Sequence, residues 1–79
     1  MEIKLFQKTQ RDLAATINLV IDTYWEDGIN ESEMIEITQK LFNNNKDKFL
    51  KEGNFTTVLQ QQCGKKRLKV VSKLLNMNK

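Results

Sequence analysis

No proline and only three glycines occur among the 79 residues of the chain. Proline opposes a helix interior most strongly and glycine comes next, so this chain can form long helices without interruption. A β-rich fold would need many turns, and turns depend on the same two residues. We therefore expect an all-α fold, a small bundle of three to four helices that forms a single domain over residues 1–79.

The first helix is predicted from apolar residues that recur at three- and four-residue intervals between Thr9 and Asp27. Thr9 is suited to cap its start, and Gly28 is suited to end it in a left-handed conformation. Leu19 falls on the side opposite the apolar face, as single exposed leucines often do. The face expected to point to the core comprises Leu13, Ala14, Ile17, Val20, Ile21, Tyr24 and Trp25.

The second helix has a clear start signal, because Asn30 is a good N-cap and Glu33 occupies the third helical position. Its core face is predicted to contain Met34, Ile35, Ile37, Leu41 and Phe42. Three consecutive asparagines at 43–45 are expected to end it. Because the connection around Gly28 is short, the bundle is predicted to start with an antiparallel αα-hairpin.

The rest of the chain is predicted with less regular elements. Residues 46–52 resemble a short helical turn that stops at Gly53. Residues 56–77, with Thr56 or Asn54 as the cap, are expected to form one helix, bent at Gly64. A break into two helices at Gly64 stays open, because glycine inside a helix costs only about 1 kcal/mol relative to alanine. The alternating apolar residues at the start are compatible with an extended arm over residues 1–8.

The residue types exclude most catalytic chemistry. Histidine is absent and cysteine occurs once, at position 63, so the commonest general base and the commonest zinc ligand are missing. We expect Cys63 to be a small buried residue, and we expect no enzymatic activity, no catalytic residue, no metal site and no cofactor. No apolar run suits a signal peptide or membrane span, which predicts a cytoplasmic protein with no membrane partner.

Charge is sorted along the sequence. Residues 1–39 contain three basic and eight acidic side chains, a net charge of −5, whereas residues 40–79 contain ten basic and two acidic ones, a net charge of +8. Asymmetry of this kind points to an acidic partner, to nucleic acid or to a second copy of the chain. It does not by itself choose among them.

The basic run at residues 65–69, together with Lys73, is the local feature that most indicates a binding surface. On a helix, its lysines cover an arc of roughly 100°, and apolar side chains cover the opposite side. The candidate contacts to DNA or RNA phosphates are Lys65, Lys66, Arg67, Lys69 and Lys73. The alternative is a solvated face that only keeps the protein soluble. A helix-turn-helix with its turn at Gly64 fits poorly, because Lys65 and Lys73 would fill apolar positions.

A protein–protein interaction module, such as a phage or host inhibitor or adaptor, is the rival interpretation. Its docking surface would be either the basic helix or an acidic surface that comprises Glu26, Asp27, Glu31, Glu33 and Glu36. Opposite charge on the two halves, in a chain too small for a large core, also favours a homodimer.

Three strings resemble those of a small uncharacterised family of bacterial and phage-borne proteins of about this length. They are YWEDGI at 24–29, GNFTT at 53–57 and QCGKKRL at 62–68. The resemblance covers nearly the whole chain. It implies a regulatory or accessory protein from a mobile element and assigns no site residues.

Overall fold

The structure is a computed structural model that describes residues 3–76, apart from the side chain of Asn76. Its helices are α1 (Gln10–Trp25), α2 (Glu31–Asn44), α3 (Lys46–Phe49) and α4 (Thr57–Asn76), and a small antiparallel hairpin of β1 (Leu50–Lys51) and β2 (Asn54–Phe55) precedes α4. The predicted small all-α bundle is confirmed. Met1 and Glu2 of the predicted arm, and Met77 of the last predicted helix, lie outside the described residues.

Helix α1 begins as predicted but ends differently. The Oγ1 of Thr9 accepts the backbone N–H of Asp12 at 3.0 Å. At the other end Asp27, with φ 62°, adopts the left-handed conformation expected of Gly28, whose own N–H donates to the carbonyl of Thr23 at 2.8 Å. A Cβ on Gly28 would lie 2.6 Å from the Cγ2 of Thr23, so the glycine is needed for this close approach.

The core forms around α1, which contacts α2, α3 and α4. Its buried residues are Leu13, Ala14, Ile17, Val20 and Ile21, as predicted. Leu19 is 54% exposed, which confirms its place off the apolar face. At the end of α1, Tyr24 is half-buried and packs against the edge of the core, whereas Trp25 is 48% exposed because α1 ends there, at the margin of the bundle.

Helix α2 is capped as predicted, since the Oδ1 of Asn30 accepts the N–H of Glu33 at 2.8 Å. Its buried face is narrower than expected: Met34 and Leu41 are buried, whereas the predicted core residues Ile35, Ile37 and Phe42 are half-buried. Phe42 lies at the margin because it lines an open groove of about 520 Å³ between α2, the hairpin and α4. Its ring also packs against that of Phe49 in an edge-to-face arrangement, with centroids 5.4 Å apart.

The predicted helical turn over residues 46–52 is too long, because α3 ends at Phe49 and the chain enters the hairpin. Glu52 and Gly53 both have positive φ, at 53° and 83°, as the two central residues of a type I′ hairpin turn require. Thr56 does not cap α4 with its side chain. Its hydroxyl donates instead to the carbonyl of Lys48 at 2.9 Å and ties α3 to the start of α4.

The expectation of one continuous helix at the end of the chain is wrong. Gly64 has φ 79° and ψ 169°, a backbone region that is essentially restricted to glycine. It divides α4 into two helical parts, which we call α4a (residues 57–63) and α4b (residues 65–76). This kink lies directly before the basic run, which begins at Lys65.

Candidate nucleic-acid interface

Helix α4b presents one apolar and one basic side. Leu68, Val71 and Leu74 are buried in the core, which α4 shares with α1 and α2. The lysines on the other side, Lys65, Lys66, Lys69 and Lys73, are all exposed. None of the four forms an ion pair with any residue between 3 and 76. We call these four lysines the basic face.

Arg67, which the sequence groups with the four lysines as a phosphate contact, lies apart from the basic face because it is ion-paired within the protein. Its Nε and Nη2 donate to the Oδ1 and Oδ2 of Asp22 at 3.0 and 2.9 Å, a bidentate ion pair. Its guanidinium lies 5.9 Å from the centroid of the Trp25 ring, and its Nη1 donates to the carbonyl of Cys63 at 3.3 Å. The donors of Arg67 are therefore directed into the fold.

Polar side chains also bridge α1 and α4 beside this ion pair. The Nδ2 of Asn18 donates to the carbonyl of Gln62 at 3.0 Å, and the Sγ of Cys63 donates to the carbonyl of Ala14 at 3.6 Å. The carbonyls of Gln62 and Cys63 stand in the last turn of α4a, before the break at Gly64, where helices need partners from outside. We call this group of residues the α1–α4 seam; it comprises Ala14, Asn18, Asp22, Cys63 and Arg67.

Cys63 is buried, with 3% of its surface exposed, as predicted. Burial raises the pKa of its thiol to about 11, although the positive charge of Arg67 acts in the opposite direction. Because the thiolate is the reactive form of cysteine, this thiol is unreactive near neutral pH. Cys63 therefore serves as a packing residue of the seam.

The residues of the predicted acidic surface, Glu26, Asp27, Glu31, Glu33 and Glu36, are all exposed. Several of them also have a local structural role. Glu31 and Glu33 lie in the first turn of α2, where negative charge stabilises the helix dipole. Glu36 pairs with Lys40 one turn later at 3.0 Å. The acidic surface thus surrounds the α1–α2 connection and the start of α2.

The helix-turn-helix interpretation does not fit the structure, because Lys65 and Lys73 would have to be buried and both are exposed. Among residues 3–76, no three histidine, cysteine or acidic side chains come together in a way that could hold a metal ion. Within that same range, every helix is too short or too polar to cross a bilayer.

A second group with basic residues, around Phe6, was not predicted from the sequence. Phe6 is 64% exposed, and the Nζ of Lys48 lies 4.9 Å from the centroid of its ring. The signal was present in the alternation of the first residues, where Ile3 and Leu5 point inward. The residues between and after them, Lys4, Phe6 and Lys8, occupy the outward positions.

The comparisons with known proteins concern the chain as a whole. The model of one family, CLB_0814_fam, described as a conserved hypothetical protein, matches residues 4–76. No curated protein and no solved structure was found to match. Because the match spans most of the 79 residues, the chain belongs to this family of conserved hypothetical proteins.

Proposed function

We propose that this protein is a non-enzymatic regulatory or accessory protein of the cytoplasm that binds nucleic acid, DNA or RNA, through its basic face. The observation that carries the proposal is the exposure of Lys65, Lys66, Lys69 and Lys73 on one side of α4b, without an ion pair to any described residue. The resemblance of its sequence strings to phage-borne proteins supports an origin on a mobile element.

The chemistry of the basic face suits phosphate rather than base recognition. A lysine is a point charge on a flexible stem, whereas reading a guanine edge generally requires the planar fork of arginine. Arg67, the arginine of α4b, is engaged with Asp22. The apolar side of α4b is anchored in the core, so the four charges are presented on a fixed helix, and we expect affinity with little dependence on sequence.

Salt dependence tests this proposal. Binding of a labelled mixed-sequence duplex is measured by fluorescence anisotropy at increasing salt concentration. Each phosphate contact lowers the slope of log affinity against log salt by about 0.9, so four lysines predict a slope of roughly −3 to −4. Replacing all four with glutamine should remove most of the affinity, whereas replacing them with arginine, which keeps the charge, should retain it. A wild-type protein that binds neither duplex nor single-stranded probes at low salt contradicts the proposal.

The second candidate is a protein–protein module, an inhibitor or adaptor that docks through the acidic surface. It is favoured by the exposure of Glu26, Asp27, Glu31, Glu33 and Glu36 around one connection of the fold. The same surface could pair with the basic face of a second copy and form a homodimer. Light scattering tests this case: a dimer mass at low salt that falls to the monomer mass at high salt supports it, and a monomer throughout contradicts self-association.

A further inference from the structure

The N-terminal segment is held in place by one buried side chain. Asn45, at the end of α2, is only 3% exposed. Its Oδ1 accepts the backbone N–H of Gln7 at 2.9 Å, and its Nδ2 donates to the carbonyls of Leu5 and Leu41 at 2.6 and 2.8 Å. The bonds to Gln7 and Leu5 lie on either side of Phe6 in the sequence. The backbone around Phe6 is therefore fixed by the fold, although it contains neither helix nor strand.

We call the hydrogen bonds from Asn45 to the N-terminal segment the clamp. They fix the backbone around Phe6, whose phenyl ring is exposed to solvent. Phe6 is 64% exposed, although burying an apolar side chain of this size would stabilise the protein. The ammonium of Lys48 approaches the ring to 4.9 Å from its centroid, which is a cation–π distance. A single ammonium covers one face of a ring at most, and most of the Phe6 side chain is exposed, so the ring is accessible to a planar partner.

Further lysines lie close in sequence to Phe6 and to Lys48. Lys4 and Lys8 lie on the exposed side of the clamped segment, and Lys46 directly follows the clamping Asn45. Asp47 is the acidic residue of the two segments, 3–8 and 46–49, and it is exposed. We call this surface the Phe6 patch; it comprises Lys4, Phe6, Lys8, Lys46 and Lys48.

We propose that the Phe6 patch binds single-stranded nucleic acid, with a base stacked on the exposed ring of Phe6 and the lysines of the patch on the adjacent phosphates. The inference rests on the proposed function and names the form of nucleic acid that the protein takes. An exposed aromatic ring within a basic surface is the combination that single strands require, because an unpaired base can leave its neighbours and stack on the ring. The bases of a duplex are stacked on one another, so the ring discriminates against it.

The test compares Phe6→Leu with Phe6→Tyr, two variants that differ in whether a ring is present. A labelled oligodeoxythymidine and a duplex of the same length are titrated with each folded variant, and circular dichroism confirms the fold. Phe6→Leu should bind the single strand about 5- to 30-fold more weakly and the duplex unchanged. Phe6→Tyr should match the wild type. The variant with both Lys46→Gln and Lys48→Gln should reduce the single-strand salt slope by about 1.4.

The outcomes separate this inference from the proposed function. If the glutamine substitutions on the basic face weaken binding but Phe6→Leu does not, the Phe6 patch is wrong and the proposed function stands. If Phe6→Leu weakens single-strand binding and the basic-face variant binds normally, the patch is correct and the role of α4b is wrong. Binding of neither probe overturns both, and binding of anionic vesicles instead of oligonucleotides overturns the patch.

Discussion

The α1–α4 seam and the basic face both include residues of α4b but use charge in opposite ways. In the seam, Arg67 forms a bidentate ion pair with Asp22 and donates to the carbonyl of Cys63. On the basic face, Lys66 is the immediate neighbour of Arg67 in sequence, yet it is exposed and has no ion pair with any residue from 3 to 76. A basic run is therefore not a single surface, because the helical rotation between adjacent residues directs one charge into the fold and the next into solvent.

The largest expected effect on the free energy of unfolding concerns the core side of α1, which lies beside the seam. Replacing the fully buried Ile21 with alanine should lower the free energy of unfolding by about 2–5 kcal/mol, because it leaves a cavity against neighbours that cannot fully collapse. Leu19→Ala on the exposed side of the same helix is the matched control and should change it by less than about 0.5 kcal/mol. Urea denaturation measures both. Equal losses at the two positions would mean that the faces of α1 are wrongly assigned.

The next effect concerns the break that separates α4a from α4b. Gly64→Ala should cost about 1–3 kcal/mol of unfolding free energy, because its backbone conformation is strained for any residue with a Cβ. An added Cβ would meet no atom within 4 Å, so the cost would come from the backbone alone. Gln62→Ala on the exposed side of α4a is the control. A Gly64→Ala protein as stable as the wild type would show that α4 is continuous.

A smaller effect concerns the pKa of the seam thiol. The unfolded chain releases the proton of Cys63 near its ordinary pKa of 9.0, whereas the folded protein retains it until about pH 11. Raising the pH through that interval therefore favours the unfolded state, and the stability of the wild type should fall relative to Cys63→Ala. Comparing the two proteins removes the titration of lysines that both contain. Parallel stability curves between pH 9 and 11 would contradict the buried thiol.

The fold was predictable where its signals were local. Thr9 and Asn30 each bond to an N–H three residues later, so the starts of α1 and α2 could be predicted from the sequence. The backbone conformation of Gly64, and with it the break in α4, could not be predicted in this way. Its intrinsic cost in a helix is only about 1 kcal/mol, and the choice between a bend and a break depends on donors from elsewhere, such as Asn18 on the carbonyl of Gln62.

The candidate site was predictable to the same extent. Helical periodicity was sufficient to place Lys65, Lys66, Lys69 and Lys73 on one exposed side of α4b. It did not reveal the ion pair of Arg67, because the carboxylate that engages it is 45 residues away in sequence. It also failed for Phe6, whose exposure depends on a clamp formed by the distant Asn45. Long-range polar contacts, rather than local patterns, decide which of these residues a partner can reach.

Two adjacent substitutions, Lys66→Gln and Arg67→Gln, test the division between the seam and the basic face most directly, because each removes one positive charge. Unfolding free energy and affinity for duplex DNA are measured for both variants. Lys66→Gln should leave stability unchanged within about 0.5 kcal/mol and reduce the magnitude of the salt slope of binding by about 0.9. Arg67→Gln should lower stability by about 1–2 kcal/mol, because it leaves Asp22 unpaired, and should leave the affinity of the folded protein unchanged. Equal effects of the two substitutions on both measurements would contradict this division.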